Sequence, residues 1–399
     1  MQRMSQISQL IADARALLQF SQAEKALELL TPIFESNSCN VPFLQIFGET
    51  LLENNDLENA YNILIKACEL DPTGDQGTEK FLYLGQIIGG SDGLKYLDNG
   101  LNKLSVQLNA INEDKGEDDN ILVELSKVYK TKEQLQKYFI KKLNQGIFAK
   151  IEIWMTDLCM EPEAEDQCND LIAYSLELDD QNPESLSLLS SIRISQQRVD
   201  EAKEALKTSW TLFQDKKTKL EEAANNLQID SEEKNQSDSF EVGLEYMELI
   251  QPLLTLARFA IELELYEIAI TISSNSQDIN ENILESYYYE ALANILSAKQ
   301  IAYKIQSSNV EDYRDLEIKE LMKSQNSDIK AFIDEAKSAL TQGYKITQTD
   351  SVDADPELID QVLSLVDEVG GPIISELMPQ RLEAEEEGWE EEINSDEEL

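Results

Sequence analysis

The amino-acid sequence predicts an all-α fold, a right-handed superhelical stack of antiparallel helix pairs that ends in a disordered acidic tail. Three observations predict it. Leu10, Ala14, Leu17, Ala26 and Leu30 recur 34 positions later as Leu44, Gly48, Leu51, Ala60 and Leu64. The echo returns toward the other end, where Leu253, Ala257 and Ala269 are matched by Tyr287, Ala291 and Tyr303 at the same shift. Long alternating strand patterns are absent from the sequence. A 34-residue period with small residues where two helices cross is the signature of the tetratricopeptide repeat. Each pair buries its apolar face against its neighbours, and the curved inner surface of such a solenoid holds a peptide or a protein.

The elements follow in order. Two repeats occupy about residues 5–74, the second closing in Leu70-Asp71-Pro72. The third has a clipped inter-helix loop in Leu84-Gly85-Gln86-Ile87-Ile88-Gly89-Gly90, and its second helix reads Gly93, Leu97, Gly100. The double glycine lacks the Gly-Lys-Ser/Thr of a phosphate loop and reads as a turn. Asn109 to Asn120 reads as a polar loop. From Ile121 to about Phe148 the apolar residues keep helical periodicity, and further pairs are expected at about 149–180 and 183–214.

Gln214 to Ser239 is poor in apolar residues and reads as a partly helical linker or insert. Helices resume from Phe240 to about Thr347, with the polar stretch Ser307–Ser327 expected to lengthen one of them. A last helix opens at Pro356, where Asp355 can cap it, and stops before Gly370-Gly371-Pro372. After Arg381 every charge is negative, ten carboxylates between Glu383 and Glu398 with Trp389 among them. Such a segment cannot bury enough apolar surface to offset its ordering entropy. The predicted organisation is N-terminal repeats over 5–213, a polar linker over 214–239, C-terminal helical repeats with a capping helix over 240–379, and the tail over 380–399.

Composition narrows function. The 399 residues include 33 basic and 78 acidic side chains, a net charge of −45. A surface of this sign repels nucleic acid and anionic membranes and attracts basic polypeptides. Histidine is absent, which removes the Ser-His-Asp and Cys-His arrangements and imidazole as a base or metal ligand. Cys39, Cys68, Cys159 and Cys168 form no Cys-x-x-Cys pair. They read as buried structural thiols of a reducing compartment, with no metal or cofactor implied. No apolar run is long enough to cross a membrane, and the charges in residues 1–20 argue against a signal peptide. Carboxylate pairs occur on almost every helix and so carry no catalytic information; the chain reads as a non-enzyme.

The first helix of each pair lines the inner face. Its inward positions here include Glu49, Glu53, Glu79, Glu152, Glu184, Glu262 and Glu285, with Tyr288 as an aromatic platform and Arg15 and Arg258 as the basic exceptions. These residues are the candidate partner-binding set. An adaptor that grips the acidic C-terminus of a general chaperone needs Lys, Asn and Arg at such positions. This chain places residues such as Gln45 and Glu49 there instead.

Four stretches carry a family resemblance. They are the clipped Leu84–Gly90 repeat, the run Met155-Thr156-Asp157-Leu158-Cys159-Met160-Glu161-Pro162-Glu163-Ala164-Glu165-Asp166-Gln167-Cys168, the opening Asp355-Pro356-Glu357-Leu358, and Gly388-Trp389-Glu390 in the acidic tail. Together they resemble the eukaryotic assembly chaperone of ribosomal large-subunit protein four. The resemblance implies an all-helical tetratricopeptide protein without catalytic activity, present in cytoplasm and nucleus. It implies a newly made basic ribosomal protein as partner, held by its long internal loop and escorted to pre-ribosomes, with nuclear import machinery reached through that client. Fold and charge alone also permit an acidic repeat scaffold or co-chaperone adaptor for another basic protein, such as a histone.

Overall fold

The structure, a computed structural model, describes residues 2–20, 22–115, 119–129, 131–229, 236–305, 311–349 and 354–377. The acidic tail and Trp389 lie outside the described residues. The chain divides into two compact units, 1–244 and 245–399. Helices account for the ordered elements of both, with no strand among the described residues.

In the first unit, α1 (Gln2–Gln19) packs on α2 (Ala23–Leu30), followed by a short turn of helix, α3 (Phe34–Asn37). Next come the pairs α4 (Val41–Glu53) with α5 (Leu57–Leu70) and α6 (Glu79–Ile88) with α7 (Gly90–Asn112). The short α8 (Asn120–Val128) precedes α9 (Lys132–Met155), which packs on both α7 and α10 (Ala164–Leu178). The unit ends with α11 (Pro183–Ser195) against α12 (Val199–Ile229). The repeat positions read from the sequence form its core: Ala14, Ala26, Leu30, Leu44, Ala60 and Leu64 are fully buried. Gly48 is small because a Cβ there would lie 2.6 Å from Leu64 Cδ2. Ala26 and Ala60 thus occupy equivalent buried positions one repeat apart.

Local chemistry starts and stops these helices. Asn40 accepts from the Phe43 N–H at 3.1 Å and Asp56 from the Asn59 N–H at 3.2 Å, satisfying donors that a helix start leaves free. The turns joining α4 to α5 and α11 to α12 share one geometry, with Asn55 and Gln197 at φ +58° and +59°. The following N–H reaches five residues back, Asp56 to Leu51 and Arg198 to Arg193, each at 2.9 Å. This left-handed closure is the common way to end a helix and satisfy its last carbonyls. Pair α6–α7 has no room for it, because only Gly89 (φ +64°) separates the two helices.

Three boundaries differ from the sequence reading. α7 continues to Asn112, through the start of the expected polar loop. α9 runs unbroken across the boundary expected at 148/149, since Phe148-Ala149-Lys150 holds no residue that ends a helix. α12 continues to Ile229, over the first part of the expected linker, where Lys, Glu and Ala favour helix and Leu220 is buried.

The boundary at 244/245 falls within α13 (Gln236–Met247), and in the second unit α14 (Ile250–Glu262) and α15 (Tyr266–Ile279) are joined by the same turn at Glu264 (φ +59°). The long α16 (Leu284–Ile305) packs on α18 (Ser327–Thr347), with α17 (Ile318–Leu321) between them in sequence. Residues 311–326 therefore lengthen no helix. They fold back so that Leu316 and Leu321 pack with Ala298, Ala302, Ile329 and Ile333. α19 (Pro356–Glu368) opens with Asp355 accepting from the Glu357 N–H at 2.9 Å, and stops at Val369 before Gly370, as the sequence predicts. The last described element is α20 (Ile374–Leu377).

Candidate functional site

A polar row in the first unit crosses four helices, α1, α4, α6 and α9. Consecutive members of this set are neighbours, and they lead successive pairs, the helices that line the inner surface of a tetratricopeptide stack. Arg15, Glu49 and Tyr83 occupy one repeat position, each 34 residues from the next, and Gln45 and Glu79 share another. Tyr83 on α6 lies beside the Glu49 carboxylate on α4. Tyr138 on α9 donates to Glu79 Oε1 at 3.4 Å, while the Thr78 N–H donates to Glu79 Oε2 at 3.2 Å. Lys142, one turn beyond Tyr138, places Nζ 6.0 Å from that ring's centroid.

The two carboxylates are tuned in opposite directions. Burial pushes Glu49 above the ordinary carboxylate range. That effect outweighs the Tyr83 hydroxyl and the charges of Arg15 and Lys142, and the charge of Glu79 adds to it. Burial also works to raise Glu79, but Lys142, backbone N–H groups and Arg15 together hold it below the ordinary range. The hydroxyls of Tyr83 and Tyr138 are raised, by burial first and by the neighbouring carboxylates second. A negative row of this kind, set in partly buried tyrosines, suits the cation of an Arg or Lys side chain through charge and ring face together.

The structure brings Glu49, Glu53 and Glu79 together around Tyr83, with Glu53 exposed one turn beyond Glu49. Glu152 is exposed near the far end of α9, about 21 Å along the helix from Tyr138 at 1.5 Å per residue. Glu184 lies in the first turn of α11, where its own N–H is taken by Asn182. Glu262, Glu285 and Tyr288 belong to the second unit. There the Tyr289 hydroxyl donates to Glu285 Oε1 at 2.6 Å, and Arg258 lies 5.3 Å from the Phe259 ring centroid. Tyr288 is packed against the core of α16, α18 and α19 with its ring 5.7 Å from that of Tyr289, so it is a half-covered platform rather than a free one.

Sequence reasoning missed Tyr83, Tyr138 and Lys142. Tyr83 was within reach, since it continues the 34-residue column of Arg15 and Glu49. Tyr138 and Lys142 were not, because the lengthened α7 and the inserted α8 break the period before α9. Two of the expected buried thiols, Cys39 and Cys159, are instead exposed; Cys68 and Cys168 are buried, and burial raises them to about 12 and about 11. No group of three His, Cys, Asp or Glu side chains converges as a metal site among the described residues.

Two of the segments that carry the family resemblance meet in space. The Gly90 N–H donates to Asp157 Oδ2 at 2.7 Å, so the run after α9 closes the N-terminus of α7. A Cβ on Gly93 would lie 2.3 Å from the Gly85 carbonyl oxygen and 3.5 Å from Ile153 Cδ1. The glycines of the clipped repeat are therefore required by a backbone-to-backbone crossing of α6 and α7.

Fold and row together define a helical-repeat protein of the tetratricopeptide class. Comparison with known proteins sharpens this. Residues 282–395 match the ACL4 C-terminal domain. The chain is similar to a protein of Schizosaccharomyces pombe named "Probable assembly chaperone of rpl4", at 37% identity over 41% of this chain and 43% of that protein. It is also similar to a protein of the same name in Emericella nidulans, at 30% identity over 52% of this chain and 49% of the other. The matched regions thus span less than half the length of these curated relatives. Among solved structures it is similar to "Assembly Chaperone of RpL4 (Acl4) (Residues 1-338)", with a TM-score of 0.54 and 22% identity, covering 75% of this chain and 99% of the other. That likeness establishes the fold. The similarities agree with the resemblance read from the sequence segments.

Proposed function

We propose that this chain is a dedicated chaperone without catalytic activity. It captures a newly made basic ribosomal protein of the large subunit, protein four, by that protein's long internal loop. It keeps the client soluble and delivers it to pre-ribosomes, working in both cytoplasm and nucleus and reaching the import machinery through the client. The observation that carries this reading is the row of tyrosine-held carboxylates across α4, α6 and α9, in a chain of net charge −45. The names of the matched relatives point to the same client. A long basic loop adheres to RNA before it reaches its ribosomal site, and an acidic inner face screens it. Ribosomal RNA, with denser charge, then competes it away. The adaptor alternative needs cations gripping a carboxylate terminus, whereas α4 and α6 carry Glu49 and Glu79 at the corresponding repeat positions.

Affinity purification from cells followed by mass spectrometry tests the partner: the large-subunit protein is expected as the main bound species, and a histone in its place would sink the reading. For the site, the double variant Glu49→Lys with Glu53→Lys is expected to weaken client binding at least tenfold while leaving the circular dichroism unchanged. An unaltered dissociation constant would move the grip elsewhere. Affinity should also fall as salt rises, since screening acts over about 10 Å at 0.1 M.

A further inference from the structure

The row that holds Glu49 and Glu79 also contains two cations of its own, and their placement is informative. Arg15 is exposed on α1, and Lys142 is half-buried on α9. Both act electrostatically on both carboxylates. Yet the ion pairs of the described residues include no contact within 4.0 Å between either cation and Glu49 or Glu79. The direct hydrogen bonds to Glu79 come from Tyr138 and the Thr78 N–H, and Glu49 has Tyr83 beside it; all three are neutral groups. A neutral donor orients a carboxylate without consuming its charge. The countercharge is therefore supplied from beyond ion-pair distance, by one exposed and one half-buried side chain. Elsewhere in the same unit the chain closes direct pairs readily, as with Lys80 and Asp71 at 2.8 Å or Lys150 and Asp98 at 2.6 Å.

We propose that Arg15 and Lys142 are built-in stand-ins for the cations of a bound polypeptide: they partly neutralise Glu49 and Glu79 in the empty protein and are pushed aside when an Arg- or Lys-rich segment enters. This rests on the reading of the row as the client-binding surface and adds its regulation. The stand-ins lower the affinity for any single cation, so that a ligand must bring several at once to displace them. They also supply the replacement charge as the ligand leaves, which keeps release fast. A chaperone that must surrender its client gains from both effects, because an uncompensated acidic row would hold too tightly and too indiscriminately.

The test uses the full chain and a fluorescent nona-arginine peptide as probe, read by anisotropy at low and moderate salt. Lys142→Gln and Arg15→Gln are each expected to tighten binding about threefold at low salt, the factor that follows from an exposed charge interaction of about 0.6 kcal/mol. Lys137→Gln is the control for bulk charge. Lys137 is exposed on the same helix but about 100° around the axis from Tyr138, and its removal should change affinity by much less. In the Glu49→Gln, Glu79→Gln background, itself weaker in binding, the gain from Lys142→Gln should vanish. Circular dichroism verifies that each variant is folded, and Glu49→Gln alone replaces the double variant if that one is not. If Lys142→Gln leaves binding unchanged, weakens it, or tightens it no more than Lys137→Gln, the stand-in proposal falls while the row remains a binding site. If the Glu→Gln variants bind nona-arginine as well as the parent, both the stand-ins and the row as the site of capture are overturned.

Discussion

The two units pair tyrosine with glutamate in different ways. In the first, the partners come from neighbouring helices of the stack: Tyr138 on α9 donates to Glu79 on α6, and Tyr83 on α6 lies beside Glu49 on α4. In the second, Tyr289 and Glu285 lie one turn apart on α16, so their hydrogen bond reinforces a single helix. The same chemistry therefore crosslinks repeats in one unit and decorates a helix in the other. Charge burial follows the same division. Lys80 and Asp71 form a fully buried pair at 2.8 Å in the first unit, and Asp71 also accepts from the N–H groups of Asp75 and Gln76 to shape the turn before α6. The second unit's Arg314 pairs with Glu264 and Asp312 in solvent. The first unit thus adds buried polar pairs to its apolar cores, whereas the counterpart pairs in the second unit stay in solvent beside the apolar packing of α16, α18 and α19.

The largest expected effect tests this division directly. Lys80→Met strands the Asp71 carboxylate inside the protein and should cost about 3–5 kcal/mol. Arg314→Ala should cost no more than about 1 kcal/mol, because an exposed pair is worth little. Denaturant unfolding followed by hydrogen exchange at α5–α6 and at α16 reads both. Equal losses from the two variants would erase the contrast.

A middle-sized effect comes from glycine. Gly93→Ala drives a Cβ against the Gly85 carbonyl and should cost about 1–3 kcal/mol. Gly343→Ala on α18 meets side chains of Leu284, Tyr287 and Val362 at 3.4–3.6 Å, ordinary contact, and should be neutral or stabilising by up to about 1 kcal/mol through better helix propensity. The melting midpoints should therefore move in opposite directions, or the first alone should move. A neutral Gly93→Ala would mean that α6 and α7 separate without penalty.

The smallest effect depends on pH. The native state holds a proton on Glu49 more tightly than the unfolded chain does, so ionised Glu49 opposes folding above its folded pKa and ceases to do so below its unfolded one. Glu49→Gln should then raise the midpoint slightly at pH 7, with the gain shrinking as the pH falls through the carboxylate range. Glu79, held below the ordinary range, has the opposite sign: its contribution is present at neutral pH and is lost on acidification. A gain from Glu49→Gln that does not change with pH would separate its cause from ionisation.

Most of the helix stack was legible because period and small residues report packing directly. Gly48 against Leu64 and the paired Ala26 and Ala60 were readable from the 34-residue shift alone. The helix at Pro356 was readable from its cap. Helix lengths were not, since α7 and α12 run on into polar stretches and α9 crosses Phe148-Ala149-Lys150, where no residue ends a helix. Of the candidate residues, the shared repeat columns of Arg15 with Glu49 and of Gln45 with Glu79 were legible from the 34-residue shift. Their tyrosine partners needed the fold, because α9 enters the row only after two elements have thrown the period out of step.

One contact has a consequence for synthesis of the chain. A repeat stack ordinarily forms pair by pair, each new pair closing on the one before it. The α7 helix departs from that order, because its first free N–H group, at Gly90, is closed by Asp157, 67 residues downstream. At a translation rate of about 5–20 residues per second, several seconds separate the two. During that interval water serves the exposed Gly90 N–H, which gains its carboxylate partner once the turn after α9 has been made. Tyr138 and Lys142 lie on that same helix. The last part of the polar row and the carboxylate that closes α7 are therefore made within the same few seconds of synthesis, on α9 and the turn that follows it.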